Sequence, residues 1–104
     1  MSDTDSLPQA KILADQAVAY QNSGQWQKSA ETYLRALHLA PLEPELFFNL
    51  GDVLVRLNKH SEAMEAYQQA LELDPNYLEA YQNLGQLLSD AGRLTAALKT
   101  FEKA

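Results

Sequence analysis

An interval of 34 residues maps one stretch of this chain onto the next, and a chain that repeats at such a period folds as stacked copies of one small unit. Pro41 aligns with Pro75, and the triplet Asn49-Leu50-Gly51 with Asn83-Leu84-Gly85. Three further columns keep the interval: Tyr33, Tyr67 and Phe101; Ala36, Ala70 and Ala104; Ser29, Ala63 and Ala97. The matched residues are mostly small or apolar, the types that packing selects. Each unit buries its apolar face only when another flanks it.

Within a unit, apolar residues recur at three and four spacing on both sides of Gly24, Asn58 and Gly92, which reads as two helices joined by a turn. Those three residues tolerate the positive φ that a helix C-terminus needs. In the second unit Leu46, Phe47, Leu50, Val53, Leu54 and Leu57 form one stripe, and Ala63, Met64, Tyr67, Ala70, Leu71 and Leu73 the next. Pro44 suits a first helical turn, and Asp74-Pro75-Asn76 breaks the chain again. The pattern predicts six helices: Leu7–Ser23, Trp26–Leu39, Pro44–Leu57, Ser61–Leu73, Tyr77–Ala91 and Leu94–Lys103. Ala17, Gly51 and Gly85 fall mid-way along the first helix of each unit. A glycine there costs about 1 kcal/mol against alanine, so a close approach by a neighbour is expected to offset it.

Composition narrows the function. The chain has 104 residues, a net charge of −6 and no cysteine, enough for one modest domain and incompatible with disulfides or thiolate zinc sites. Eight Lys and Arg against fourteen Asp and Glu, with no basic cluster, disfavour nucleic acid as a partner. No apolar run approaches the ~20 residues that span a bilayer, and the acidic start is unlike a signal peptide. A soluble, cytoplasmic protein with no membrane partner is expected.

Catalytic patterns are not found. His38 and His60 occupy non-equivalent places without a metal-ligand spacing and read as solvent-side histidines. Glu43 and Glu45 flank Pro44 where carboxylates favour a helix N-terminus. The four glycines are scattered, forming neither a phosphate loop nor a nucleophile elbow. Trp26 reads as packing on its own hairpin. No enzyme, metal or cofactor is expected.

These residues resemble the tetratricopeptide repeat family, whose unit carries a Leu-Gly pair, an alanine, an aromatic four later, an alanine three later and a closing proline. The second unit supplies Leu50-Gly51, Ala63, Tyr67, Ala70 and Pro75; the third Leu84-Gly85, Ala97, Phe101 and Ala104; the first, more weakly, Gln16-Ala17, Ser29, Tyr33, Ala36 and Pro41. The family's early tryptophan is replaced by Leu13, Phe47 and Tyr81. The resemblance implies an all-α, right-handed solenoid of three helix-turn-helix repeats. They would span about residues 10–43, 44–77 and 78–104, the last incomplete, after a disordered tail over residues 1–6. The last hairpin then lacks a covering helix, and its apolar face is expected to be exposed. A longer parent chain or self-association would cover it.

In such a solenoid the first helices line a concave groove, which selects the candidate site. From the first unit these are Lys11, Ala14, Asp15, Val18, Gln21 and Asn22; from the second Glu45, Phe48, Asn49, Asp52, Val55 and Arg56; from the third Glu79, Gln82, Asn83, Gln86, Ser89 and Asp90. The ten expected to bind a peptide are Asp15, Val18, Phe48, Asn49, Asp52, Val55, Arg56, Gln82, Asn83 and Gln86. Five acids oppose two bases across the groove, which suits a neutral or basic segment better than an acidic one. Asn49 and Asn83 look like the asparagine ladder of O-linked N-acetylglucosamine transferase repeats, which grips peptide backbones; Asp15 shortens the ladder. A solvated polar face is the plainer reading of the pair. Phe48 is an apolar anchor if it faces the groove, and core if it packs against the next hairpin. The clamp that related domains use for acidic chaperone tails maps onto Ala14, Val18, Asn49, Glu79 and Asn83. Only Asn49 fits it, and Glu79 stands where a cation is needed.

The expected function is therefore a protein-interaction scaffold without catalysis. Two other readings remain: the amino-terminal targeting domain of a longer enzyme such as a glycosyltransferase or methyltransferase, and an architectural module that self-associates through its last hairpin.

Overall fold

The computed structural model describes the backbone of residues 3–103 and the side chains of residues 8–93. Among the described residues there are five helices and no strand: α1 (Asp3–Asn22), α2 (Trp26–Leu39), α3 (Pro44–Arg56), α4 (His60–Leu73) and α5 (Leu78–Lys103). Consecutive helices pack on one another, α1 on α2, α2 on α3, α3 on α4 and α4 on α5, in an array measuring 61 × 30 × 20 Å. That is a solenoid, elongated because each unit touches only its neighbours. Helix α1 starts at Asp3, ahead of the expected Leu7, so residues 3–6 continue the helix. No Pro or Gly precedes Pro8, and a helix extends one hydrogen bond per residue once nucleated. Residues 1, 2 and 104 lie outside the described residues.

The first two turns follow their residue chemistry. Gly24 (φ 75°) and Asn58 (φ 60°) take the left-handed conformation. The next N–H in each case reaches back five residues, Gln25 to the Tyr20 carbonyl and Lys59 to the Leu54 carbonyl, both at 2.9 Å. This closure satisfies carbonyls that a bare helix end would strand. Between α4 and α5 the Asp74 carboxylate accepts from the Asn76 N–H at 3.1 Å, an Asx turn that redirects the chain around Pro75.

The third turn does not form. Gly92 keeps a helical backbone and α5 runs through it for 26 residues, so five helices stand where six were expected. One glycine opposes the helix here by only about 1 kcal/mol, and no proline follows to stop it.

Aromatic and small residues interlock in the core. Tyr33 and Tyr67 are fully buried, as are Ala17, Ala36, Val53, Ala63, Ala70 and Ala80. The buried Ser29 hydroxyl donates to the Ala17 carbonyl at 2.8 Å, fixing α2 tightly on α1. Gly51 on α3 is required by its neighbour: a Cβ there would stand 2.6 Å from Cε1 of Tyr67. Gly85, one repeat later, has no atom within 4 Å of the equivalent point, so the close approach expected at both glycines exists only at Gly51. The difference follows from the unbroken α5. It carries residue 101, the counterpart of Tyr67, along the same helix rather than back over Gly85. The side chain of Phe101 itself lies outside the described residues.

Candidate functional site

Glu45, Asn49, Asp52 and Arg56 succeed one another on α3 at intervals of four, three and four residues, so they share one face. On α1 the residues Lys11, Ala14, Asp15, Val18, Gln21 and Asn22 form a matching stripe. Two hollows follow these stripes. One, of about 450 Å³, is lined by Lys11, Ala14, Asp15 and Val18 of α1 and by Glu43, Glu45, Leu46 and Asn49 at the start of α3. The other, of about 670 Å³, lies further along the same face of α3. It is lined by Gln21 and Asn22, by Asp52, Val55 and Arg56, and by Asn83, Gln86, Leu87 and Asp90 of α5, with Trp26, His60 and Tyr67 at its walls.

A carboxylate joins three helices in the second hollow. Asp52 Oδ1 accepts hydrogen bonds from the Tyr67 hydroxyl of α4 and from Asn83 Nδ2 of α5, the latter at 2.9 Å. One unit earlier the Tyr33 hydroxyl donates to Gln21 Oε1 at 2.8 Å. Repeat-related tyrosines thus bury their rings and donate their hydroxyls to residues that line the second hollow, the arrangement expected of a ring with one polar tip.

Burial sets the titration of this centre. It pushes the Asp52 carboxyl above the usual carboxylate range, against the Tyr67 and Asn83 hydrogen bonds that favour the charged form; Glu79 adds to the rise and Arg56 opposes it. Tyr33 is pushed up to about 12, first by burial and then by Asp52 and Glu45, with a contact from Asn49 opposing. The Tyr67 hydroxyl is raised by burial and by Asp52. Arg56 lies 5.4 Å from the centroid of the Trp26 ring, a cation over an aromatic face. Asp90 accepts from Gln86 Nε2 at 2.9 Å and makes a long, exposed contact of 3.7 Å with Arg93.

The expected site residues divide. Asp15, Val18 and Asn49 line the first hollow, and Asp52, Val55, Arg56, Asn83 and Gln86 the second. Gln82 is exposed and lines neither. Phe48 belongs to the core: it is 8% exposed, and its ring stacks on Tyr77 (centroids 5.0 Å apart) and tilts against Tyr67 (5.8 Å). It is no apolar anchor, because the connection between α4 and α5 brings Tyr77 across its face. Sequence reasoning missed Tyr67 and His60 as lining residues and gave Trp26 to hairpin packing alone. The recurrence of Tyr33 and Tyr67 was the available signal, but periodicity marks a buried ring without telling where its hydroxyl points. Among the described residues no group of three His, Asp or Glu could hold a metal ion, and no helix is long and apolar enough to cross a membrane.

Known proteins place the fold. A tetratricopeptide repeat profile matches residues 12–45 and a TPR repeat profile residues 51–92. No curated protein sequence matches the chain. Among solved structures the chain is similar to the second TPR of Spaghetti (RPAP3), bound in that structure to the HSP90 peptide SRMEEVD. The TM-score is 0.83 and the identity 24%, over 96% of this chain and 92% of that one. It is also similar to MamA, with a TM-score of 0.79 and 26% identity over 90% of this chain, which spans 55% of the MamA chain. The Arabidopsis OM64 TPR domain superposes with a TM-score of 0.81 at 18% identity, over 94% of this chain and 81% of that one. Tetratricopeptide repeats therefore make up residues 12–45 and 51–92 of this chain, within a helical solenoid of the kind such repeats build.

Proposed function

We propose that the face shared by α1, α3 and the first half of α5 is a groove that holds a segment of another protein, neutral to basic in charge, and that the chain performs no chemistry on it. The reading rests on one observation: two hollows lie in succession along a single face of α3, each with an asparagine of the same repeat column at its wall. An amide offers both donors and an acceptor, so Asn49 and Asn83 suit a peptide backbone without demanding a particular side chain. One N–H of Asn83 is already engaged by Asp52, which fixes the amide's orientation. This is how the pair would act in the manner of an asparagine ladder.

Charge supports the choice of ligand. Asp15, Glu43 and Glu45 surround the first hollow against Lys11, and Asp52 and Asp90 face Arg56 in the second. An acidic segment would meet repulsion there, which costs affinity and slows encounter. The RPAP3 relative is bound to the HSP90 peptide SRMEEVD, in which three acids outnumber one base; by the family resemblance Glu79 would stand where a clamp for such a peptide needs a cation. The cysteine-free composition accords with a role in the reducing cytoplasm.

Selection from a peptide library displayed against the 104-residue chain tests this reading. Enriched sequences are expected to be neutral or basic, and Asn49→Ala with Asn83→Ala is expected to weaken them at least fivefold. Enrichment of acidic tails such as SRMEEVD, or binding indifferent to both asparagines, would overturn it.

A further inference from the structure

Tyr67 of α4 lies across Gly51 of α3 so closely that a Cβ there would stand 2.6 Å from its ring. The same place on α5 is empty: Gly85, one repeat on, has no atom within 4 Å of the equivalent point. Around it Leu78 is 65% exposed, Tyr81 52% and Leu88 53%. At about 3.6 residues per turn these four positions fall within an arc of about 80° and a length of about 15 Å, so they form one open face.

That face carries no charge, in a chain of net charge −6. The two charged residues between positions 78 and 92, Glu79 and Asp90, lie about 120–140° round the helix from Gly85. Gln82 and Ser89 supply an exposed, uncharged rim. A highly charged partner finds nothing to pair with there, whereas a second copy meets no repulsion across it. The face is also complementary to itself. When a copy of α5 is laid antiparallel across Gly85, as α4 lies across Gly51, and its Tyr81 takes the place of Tyr67, the register is fixed. Leu78 of each copy then meets Leu88 of the other, so both ends of the face pair apolar residues without a further choice.

We propose that two copies of this chain pair through α5 about a two-fold axis at the level of residue 83, with Tyr81 of each seated over Gly85 of the other and Leu78 against Leu88. Each Tyr81 reproduces between chains the aromatic-over-glycine contact that Tyr67 makes within one. The contact is isologous, so both faces are covered at once and the association closes at two. Ala80 and Leu87, buried against the rest of the array, lie round the helix from the contact, so the bodies of the two copies point away from it. Asn83 and Gln86 face the second hollow, so both grooves stay open. Four apolar positions per copy bury less than the ~1,200 Å² at which stable interfaces begin, so the pair is a weak one that forms at millimolar and dissociates at micromolar concentration.

The chain has no native cysteine, so single cysteines report the register. Leu78 and Leu88 are exposed enough for either to be replaced without opening the core. Leu78→Cys chains mixed with Leu88→Cys chains are expected to give, on mild oxidation, a covalent dimer of twice the chain mass. Either variant alone should give little, because the two copies of residue 78, like those of residue 88, stand about 15 Å apart, beyond disulfide reach. No cross-link in the mixture, or equal cross-linking of either variant alone, would overturn the pairing. Sedimentation of the unaltered chain gives an independent reading: a monomer at micromolar concentration and a dimer, nothing larger, at millimolar. Tyr81→Glu and Gly85→Leu, at unchanged helicity, are each expected to weaken the dimer at least tenfold. A chain that stays monomeric at millimolar concentration or assembles beyond two, or variants that dimerise as the parent does, would contradict the proposal.

Discussion

Asp52 on α3 and Asn83 on α5 are joined by a hydrogen bond of 2.9 Å across 31 residues of sequence. The same Asp52 oxygen accepts the Tyr67 hydroxyl, so one carboxylate holds three helices in register at the floor of the second hollow. The substitution Asp52→Asn keeps an acceptor for both donors and removes a charge that burial disfavours. Folding holds Asp52 protonated to higher pH than the unfolded chain does, so stability falls as pH rises from the ordinary carboxylate range through the raised value. Asp52→Asn is therefore expected to melt higher than the parent at pH 7, with the gain vanishing at acid pH where both forms are neutral. Asp52→Ala strands the Tyr67 hydroxyl and should cost about 1–3 kcal/mol. Thermal melts across pH check both signs.

Two glycines of one column should answer oppositely to alanine. At Gly51 a methyl meets the Tyr67 ring at 2.6 Å, and the buried ring has little room to move, so Gly51→Ala should cost roughly 1–3 kcal/mol. At Gly85 the space is open, and Gly85→Ala should gain about 0.5–1 kcal/mol of helix stability. Urea unfolding of the two variants measures the contrast.

Alkaline stability follows from the buried tyrosines. An unfolded tyrosine ionises near pH 10, whereas Tyr33 holds its proton to about 12. Above pH 10 the unfolded chain loses protons first, so the native state loses stability progressively, by about 2 kcal/mol from this residue as pH approaches 12. Tyr33→Phe should flatten that part of the stability profile, at the cost of the hydrogen bond to Gln21. Unfolding free energies measured from pH 9 to pH 12 distinguish the two proteins.

The turn residues offer a fourth check. Asn58 holds φ 60° without being glycine, so Asn58→Gly should be neutral or mildly stabilising, whereas Asn58→Val should cost on the order of 1–2 kcal/mol. Chemical denaturation midpoints report the difference.

The helices and their packing columns were legible because each rests on a local rule repeated at a fixed interval. Ala17, Tyr33, Ala63, Tyr67 and Ala70 are all buried as the repeat requires. The third turn was misread because Gly92 permits a left-handed turn without enforcing one, and no proline follows to exclude the helix. At the candidate site, the α1 and α3 stripes were visible as helical spacing. Phe48 was ambiguous because its burial depends on Tyr77, a contact no spacing within α3 can show. The Asp52–Tyr67–Asn83 contact joins three separate helices, and only their mutual packing brings these polar tips together.

The groove itself is tested most directly by NMR. The isotopically labelled chain would be titrated with the best neutral or basic peptide from a library selection, following every backbone and asparagine side-chain amide. The account predicts shifts concentrated at Asn49, Asp52, Asn83 and Gln86, along one face of α1, α3 and α5. Shifts confined to the outer faces of α2 and α4, with those residues silent, would contradict it.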